Sequence, residues 1–381
     1  MVNIIYSGKI TDIHGGQLTN PKLKETFKEA TEIHEQLLSA DKRIAYFFID
    51  PLLNAFEAAN QFYFSIFECE TIEKIKTYKS GASPIQALSD AKELVDSGLY
   101  DAVLIFGHEP LLTNKHLYGK EEMTKAMSIF EDKSILQCYN EIGHRLRKEL
   151  ELSEKEIVRF FDQLFLNFHK TYNRATNSEV PRERGRRLDD LGADLFKLTD
   201  CANPNINFSG GIIVANDSTA SFLQIPEKEK ISVSGVKYSM VEGCPTKIDK
   251  IVGKKEDVFP HLRKAFLQAQ DEASIQAVEQ FKNQNLYLEV YSCYPPIPIA
   301  FLLATGMIDH IEQLSDFLEQ YEVTITGGMN FARAPWNNPA LNALIEIHQK
   351  LKEGTRKYGL VHGNGGIGET QGVAILEKCD F

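Results

Sequence analysis

The residues with nucleophilic or proton-transfer capacity gather in the last hundred positions. Cys293 follows an apolar run at 286–291, where a thiolate facing a cleft can attack a carbonyl carbon. His362 opens a glycine-rich stretch, and an imidazole there can take a proton near neutral pH. Each also reads as a packed core side chain, a small hydrophobe or a satisfied histidine. His108 and Glu109 close another apolar run and offer a second imidazole and a carboxyl. Ser80 and Ser83 lie in a loop of small residues, 78–83, whose backbone amides can meet a carbonyl or anionic oxygen at a helix start. Gly363 to Gly368 fits G-x-G-x-x-G, but the chain ends too soon for the helix, second strand and acid of a dinucleotide site. A glycine turn lining a pocket is what remains. The histidines form no HxxxH or HxH pair near acids and the cysteines no CxxC, so no metal is expected.

These groups must be held by elements that the sequence outlines. Apolar runs at 43–50, 101–107, 210–215 and 286–291 read as buried strands, and helical patterns lie between them, which points to an α/β layered fold. One unit recurs. Ser83-Pro84, a helical stretch, Gly98, then a strand to Gly107 matches Asn338-Pro339, a helical stretch, Gly354, then a strand to Gly363. Serine or asparagine as N-cap, proline at the first turn and glycine at the end give both copies the same start and stop. Residues 115–205 interrupt the pattern with charged helical sequence. Ser153 and Glu156 make a capping box there, ahead of an apolar stripe from Ile157 to Tyr172. Arg182, Arg184, Arg186 and Arg187 sit close together but are interleaved with acids, as on a solvated face. The expected halves are 1–240, carrying the insertion, and 241–381.

Composition excludes several classes. Lys+Arg 42 against Asp+Glu 53 gives a charge of −11, wrong for a general nucleic-acid or anionic-membrane binder. No apolar run approaches the about 20 residues that span a bilayer, and no cleavable leader pattern is read at the start. Six scattered cysteines fit a reducing cytoplasm.

The repeat, its insertion and the terminal glycine turn together resemble the thiolase superfamily, closest to its divergent acetyl-CoA acetyltransferase-like branch. The blocks that carry the likeness are Tyr291-Ser292-Cys293-Tyr294-Pro295, Thr326-Gly327-Gly328, Ala334-Pro335-Trp336-Asn337-Asn338 and Asn364-Gly365-Gly366, with Lys79 to Ala87 earlier. The resemblance implies a five-layered αβαβα fold of two duplicated halves, with two central helices between the sheets. It also implies a helical loop domain over coenzyme A, a dimer or tetramer, and no permanently bound cofactor.

It implies a site too, and this chain departs from it at each chemical position. Gly81 stands where the nucleophilic cysteine belongs, Ala334 at the histidine, Tyr291 at the asparagine, and His362 or Asn364 at the second cysteine. Ordinary acyl-cysteine chemistry is therefore not expected. The expectation is a thiolase-like acyl-CoA acyltransferase, or an acyl-CoA-binding protein, with Cys293 and His362 as reactive groups. Gly81, Ser83, Tyr291, Gly328, Asn364 and Gly365 would line the ligand. The alternative is a catalytically inactive subunit that supports a partner chain.

Overall fold

The computed structural model describes residues 1–69, 75–128, 133–179, 194–243 and 248–379. Among the described residues nine strands form: β1 (Val2–Asp12), β2 (Ile44–Ile49), β3 (Ile75–Tyr78), β4 (Ala102–Pro110), β5 (Asn207–Asn216), β6 (Ile231–Met240), β7 (Leu286–Glu289), β8 (Tyr358–Gly365) and β9 (Thr370–Lys378). Their order is β3-β2-β4-β5-β1-β6-β9-β8-β7. Read outward from the β1–β6 junction, β1-β5-β4-β2 is matched by β6-β9-β8-β7, and β3 has no counterpart. In both sets an antiparallel strand, β5 or β9, pairs with β4 or β8, which runs parallel to its other neighbour. That is the duplication expected from the repeat. β6 falls inside the expected first half, yet it pairs along its length with β9 and touches β1 only at Asn3 and Ile4.

Alternation along the strands builds the layers, because neighbouring side chains leave opposite faces of a sheet. Val103 and Ile105 of β4 enter a core with Ile85, Leu88 and Ala91 of the first central helix (Ser83–Asp96) and Leu341, Leu344 and Ile345 of the second (Pro339–Glu353). Leu104 and Phe106 face the other way, onto helices Asn20–Thr26 and Ala55–Phe67. In the second half, Ala374 and Leu376 point to the central helices. Val373 and Ile375 point to an outer layer with helix Pro260–Ala273. Each fully buried aliphatic side chain of the central layer contributes about 1.5–3 kcal/mol. Five layers result: helix, sheet, central helices, sheet, helix.

The insertion folds as helices Leu111–Ala126, Ile135–Glu149 and Glu154–Thr176. The box at Ser153 and Glu156 caps the last, and its Ile157, Phe160, Phe161 and Leu164 are buried. The arginine cluster lies outside the described residues. One local expectation needs correction. Ser83 is the first residue of its helix rather than its cap, and its Oγ bonds back to Ser80, accepting from N at 2.8 Å and donating to O at 2.6 Å. The helix starts one residue earlier than expected: the amides a cap at Ser83 would reach, Ile85 N and Gln86 N, already donate to Ala82 O at 3.0 and 3.2 Å. Asn338 does occupy the N-cap position of the second central helix, but its side chain makes no capping bond.

Candidate functional site

The two central helices begin close together. A Cβ on Gly363 would sit 3.2 Å from Ala82 Cα and 3.5 Å from Ala340 Cβ, at the starts of both helices. Two helix N-termini converging on one region favour negative charge there.

Gly81 leads into the first helix with an ordinary backbone, so its glycine is demanded by space. A Cβ there would overlap both the hydroxyl of Tyr291 and the carbonyl oxygen of Asn364. The phenol oxygen of Tyr291 thus occupies the place that a side chain at 81 would take. Gly365 is tight for the same reason, its Cβ position lying 2.8 Å from Ser80 Oγ.

Around this contact runs a directional network. His362 Nε2 donates to Gln371 Oε1 at 2.7 Å. Gln371 Nε2 donates to Asn364 Oδ1 at 2.7 Å and to Gly368 O at 2.9 Å. Asn364 Nδ2 donates to Tyr139 Oη at 2.8 Å and reaches Cys293 Sγ at 3.7 Å, and Tyr139 Oη donates to Gly366 O at 3.0 Å. His261 Nε2 donates to Gly368 O at 2.7 Å. Carbonyl acceptors leave no choice of tautomer: both histidines carry hydrogen on Nε2, and each buried Nδ1 has no partner. Tyr139 comes from the insertion and stacks on Tyr294 with ring centroids 3.7 Å apart, so the insertion does cover the site.

Burial sets the protonation states. It lowers His362 and His261 to about 4, so both imidazoles are neutral at physiological pH. It raises the hydroxyls of Tyr139, Tyr291 and Tyr294 well above the ordinary phenol range, leaving them as proton-bearing groups. It pushes the Cys293 thiol up as well, with no cation beside it to favour the thiolate. The arrangement can donate hydrogen bonds to an oxygen and shuttle a proton. It holds no activated sulfur. Iodoacetamide at mildly alkaline pH should accordingly label the half-buried Cys69 and Cys379 first, and leave Cys293 untouched until the chain is denatured. Peptide mass spectrometry reads this directly, and prompt native labelling of Cys293 would contradict its assigned state.

The structure brings Gly81, Tyr291, Cys293, His362, Asn364 and Gly365 together. Ser83 bonds within its own loop. Gly328 lies apart, at φ +76° against Phe168 of the long insertion helix, where a Cβ would come 2.8 Å from the ring. Ala334 is buried and donates its amide to Asn203 O at 2.9 Å. Gly365 to Gly368 form the turn of the β8–β9 hairpin, with no helix following. Two site residues escaped the sequence reading. Gln371 stands directly across the hairpin from Asn364, so pairing the strands outward from the glycine turn would have found it. Tyr139 carries no sequence signal, since it reaches the site from a helix packed across the fold.

No family model matches the chain, and no curated protein matches it. Solved structures do. A monomeric SCP2-thiolase-like protein type 1 from Mycobacterium smegmatis superposes with a TM-score of 0.71 at 19% identity, covering 100% of this chain and 78% of that one. An Ltp2-ChsH2(DUF35) aldolase superposes with a TM-score of 0.68 at 12% identity, covering 99% and 97%. The fold is thiolase-like, and its five layers, duplicated halves and covering insertion are those the resemblance implied. Among the described residues no helix is long and apolar enough to cross a membrane.

Proposed function

We propose that this chain binds an acyl-CoA thioester and makes or breaks a bond beside its carbonyl by proton transfer, with no acyl-enzyme formed. The observation that carries the reading is the Tyr291 hydroxyl standing in the space of a side chain at Gly81. A phenol that keeps its proton can hydrogen-bond a thioester oxygen as negative charge develops on it, and the converging helix N-termini add to that stabilisation. Asn364 and Tyr139 fix the far wall of the site. The aldolase among the structural neighbours fits chemistry of this kind, and its partner chain fits a working unit in which this protein is one of two subunits. A homodimer or tetramer in a reducing cytoplasm is the setting we assign otherwise.

A second reading has its own observation. Cys293, His362 and Asn364 are 6%, 1% and 2% exposed, a degree of closure that suits a subunit whose chemistry is supplied by a partner. Calorimetry with CoA and acetyl-CoA comes first, and failure of both to bind would sink both readings. Assays of 3-hydroxyacyl-CoA cleavage and of thiolysis then follow, with purified partner if one co-elutes. Tyr291→Phe should lower turnover by about 100-fold, on the scale of one general acid, while Cys293→Ala leaves it within about threefold. The reverse pattern, or an acyl adduct found by mass spectrometry, overturns the non-covalent reading. Tight binding with no turnover favours the second.

A further inference from the structure

On the opposite face of the β2–β4 sheet from the central helices lies a pocket of about 380 Å³. It opens between helices Asn20–Thr26 and Ala55–Phe67 and the end of β4. Leu23, Leu53, Phe62 and Ile66 give it an apolar wall, and His108 and Asn114 line it with polar groups. No Asp, Glu, Lys or Arg lines it. Its size suits a small organic ligand.

Two of its polar side chains, Asn114 and His108, carry unmet atoms beside Asn20, Asn54, Gln61 and Ser65. Asn114 is 5% exposed, yet its Nδ2 has no hydrogen-bonding partner, and the buried Nδ1 of His108 has none either. A buried amide nitrogen left unpaired costs about 1–3 kcal/mol, so this donor must be met by water or by a ligand entering the pocket. Burial favours the neutral form of His108, which keeps the pocket without charge.

Outside the pocket's own lining, exposed apolar side chains follow Asn114 and flank Asn54 in the chain. Leu117 and Tyr118 stand one turn beyond Asn114 on the same helix face, 66% and 46% exposed. Asn54 donates to Tyr118 Oη at 2.8 Å and so brings the start of helix Ala55–Phe67 alongside, where Phe56 is 95% exposed. A ligand with its polar end at Asn114 could lay an apolar chain along these three side chains.

We infer that this pocket binds an uncharged single-chain amphiphile, an alcohol or primary amide, whose oxygen accepts from Asn114 Nδ2 and whose hydrogen is offered to His108 Nδ1. The site is separate from the acyl-CoA reading, since nothing in its lining would meet a phosphate. Calorimetry near neutral pH with 1-octanol, octanamide, octanoate and octylammonium tests it. The alcohol and amide should saturate one site, and the two ions should bind about tenfold more weakly or worse, because an unpaired charge resists desolvation. Asn114→Leu should weaken the amide about tenfold, and Ala58→Trp, which fills the pocket from its wall, should abolish binding. Circular dichroism confirms that both variants fold. Equal affinity for all four probes, absence of saturation, or undiminished binding to the Ala58→Trp variant overturns the assignment. So does sedimentation showing that the rim is covered by self-association of the chain and that the probes do not reach it.

Discussion

Placing a cysteine at position 81 by Gly81→Cys will yield a less stable protein, with no acylation at that position. The backbone at 81 accepts any residue, so the cost is steric. The new Cβ must displace the Tyr291 hydroxyl and the Asn364 carbonyl together. A tyrosine end can swing aside at moderate cost. A carbonyl fixed within β8 cannot move without disturbing the β8–β9 hairpin that also holds His362 and Gln371 in register. Overpacking of this kind costs about 1–3 kcal/mol and sits at the upper end when backbone is involved. Adding Tyr291→Ala should recover only the part due to the phenol. Denaturant titration of the single and double variants measures both terms, and incubation with acetyl-CoA followed by mass spectrometry checks the sulfur. A Gly81→Cys protein of unchanged stability that carries an acetyl group would defeat the account of the site given above.

That expectation shows how far the sequence was readable. Gly81 as the position of an expected nucleophile came from the thiolase resemblance, by matching Gln86-Ala87 to that family's block, and not from local pattern. The central helices and the strands at 43–50 and 101–107 were legible in the sequence itself, because local start signals and unbroken apolar runs suffice. β1, β6 and β9 were not. β1 and β6 mix polar and glycine residues among apolar ones, and their place in the sheet is decided by partners far along the chain. The reading of Ser83 as a cap failed because the helix begins one residue earlier, with Ala82 in the cap position and its carbonyl taking the first amides. His362 and Cys293 do lie together in the structure, but their protonation and contacts are set by neighbours that spacing cannot supply. Burial disarms the thiol, and Gln371 ties down the imidazole. Tyr139 illustrates the limit. It lies 225 positions from its partner Asn364 and meets it only once the insertion has folded across the sheet.

The same buried histidines make stability steeply dependent on pH below neutrality. His34, His108, His261 and His362 are lowered to about 4 and His348 to about 3, chiefly by burial. A histidine with a depressed folded pKa stays neutral in the native chain but takes a proton in the unfolded chain once pH drops below about 6.5. Between about 6.5 and 4 the unfolded state therefore binds more protons, and stability must fall as pH falls. Four carboxyls raised by burial oppose this, Asp50 and Glu369 among them. Glu289, raised to about 7 although it accepts from Ile325 N, Thr326 N and Thr326 Oγ1, binds its proton in the native state first. Glu109, also raised by burial, does the same. Their contribution is present at low pH and lost as pH rises through their folded values. Five histidines outnumber the four carboxyls that burial raises, so unfolding takes up protons in this window, at about 1.4 kcal/mol per pH unit for each net proton. Against the usual 5–15 kcal/mol of a folded domain, cooperative acid unfolding is expected between about pH 6 and 4, with the stability maximum near pH 7. Urea titrations at half-unit intervals give the slope. His362→Gln should reduce it by about one proton, and a stability that stays flat from pH 7 to 5 would show that these imidazoles are not held neutral in the native core.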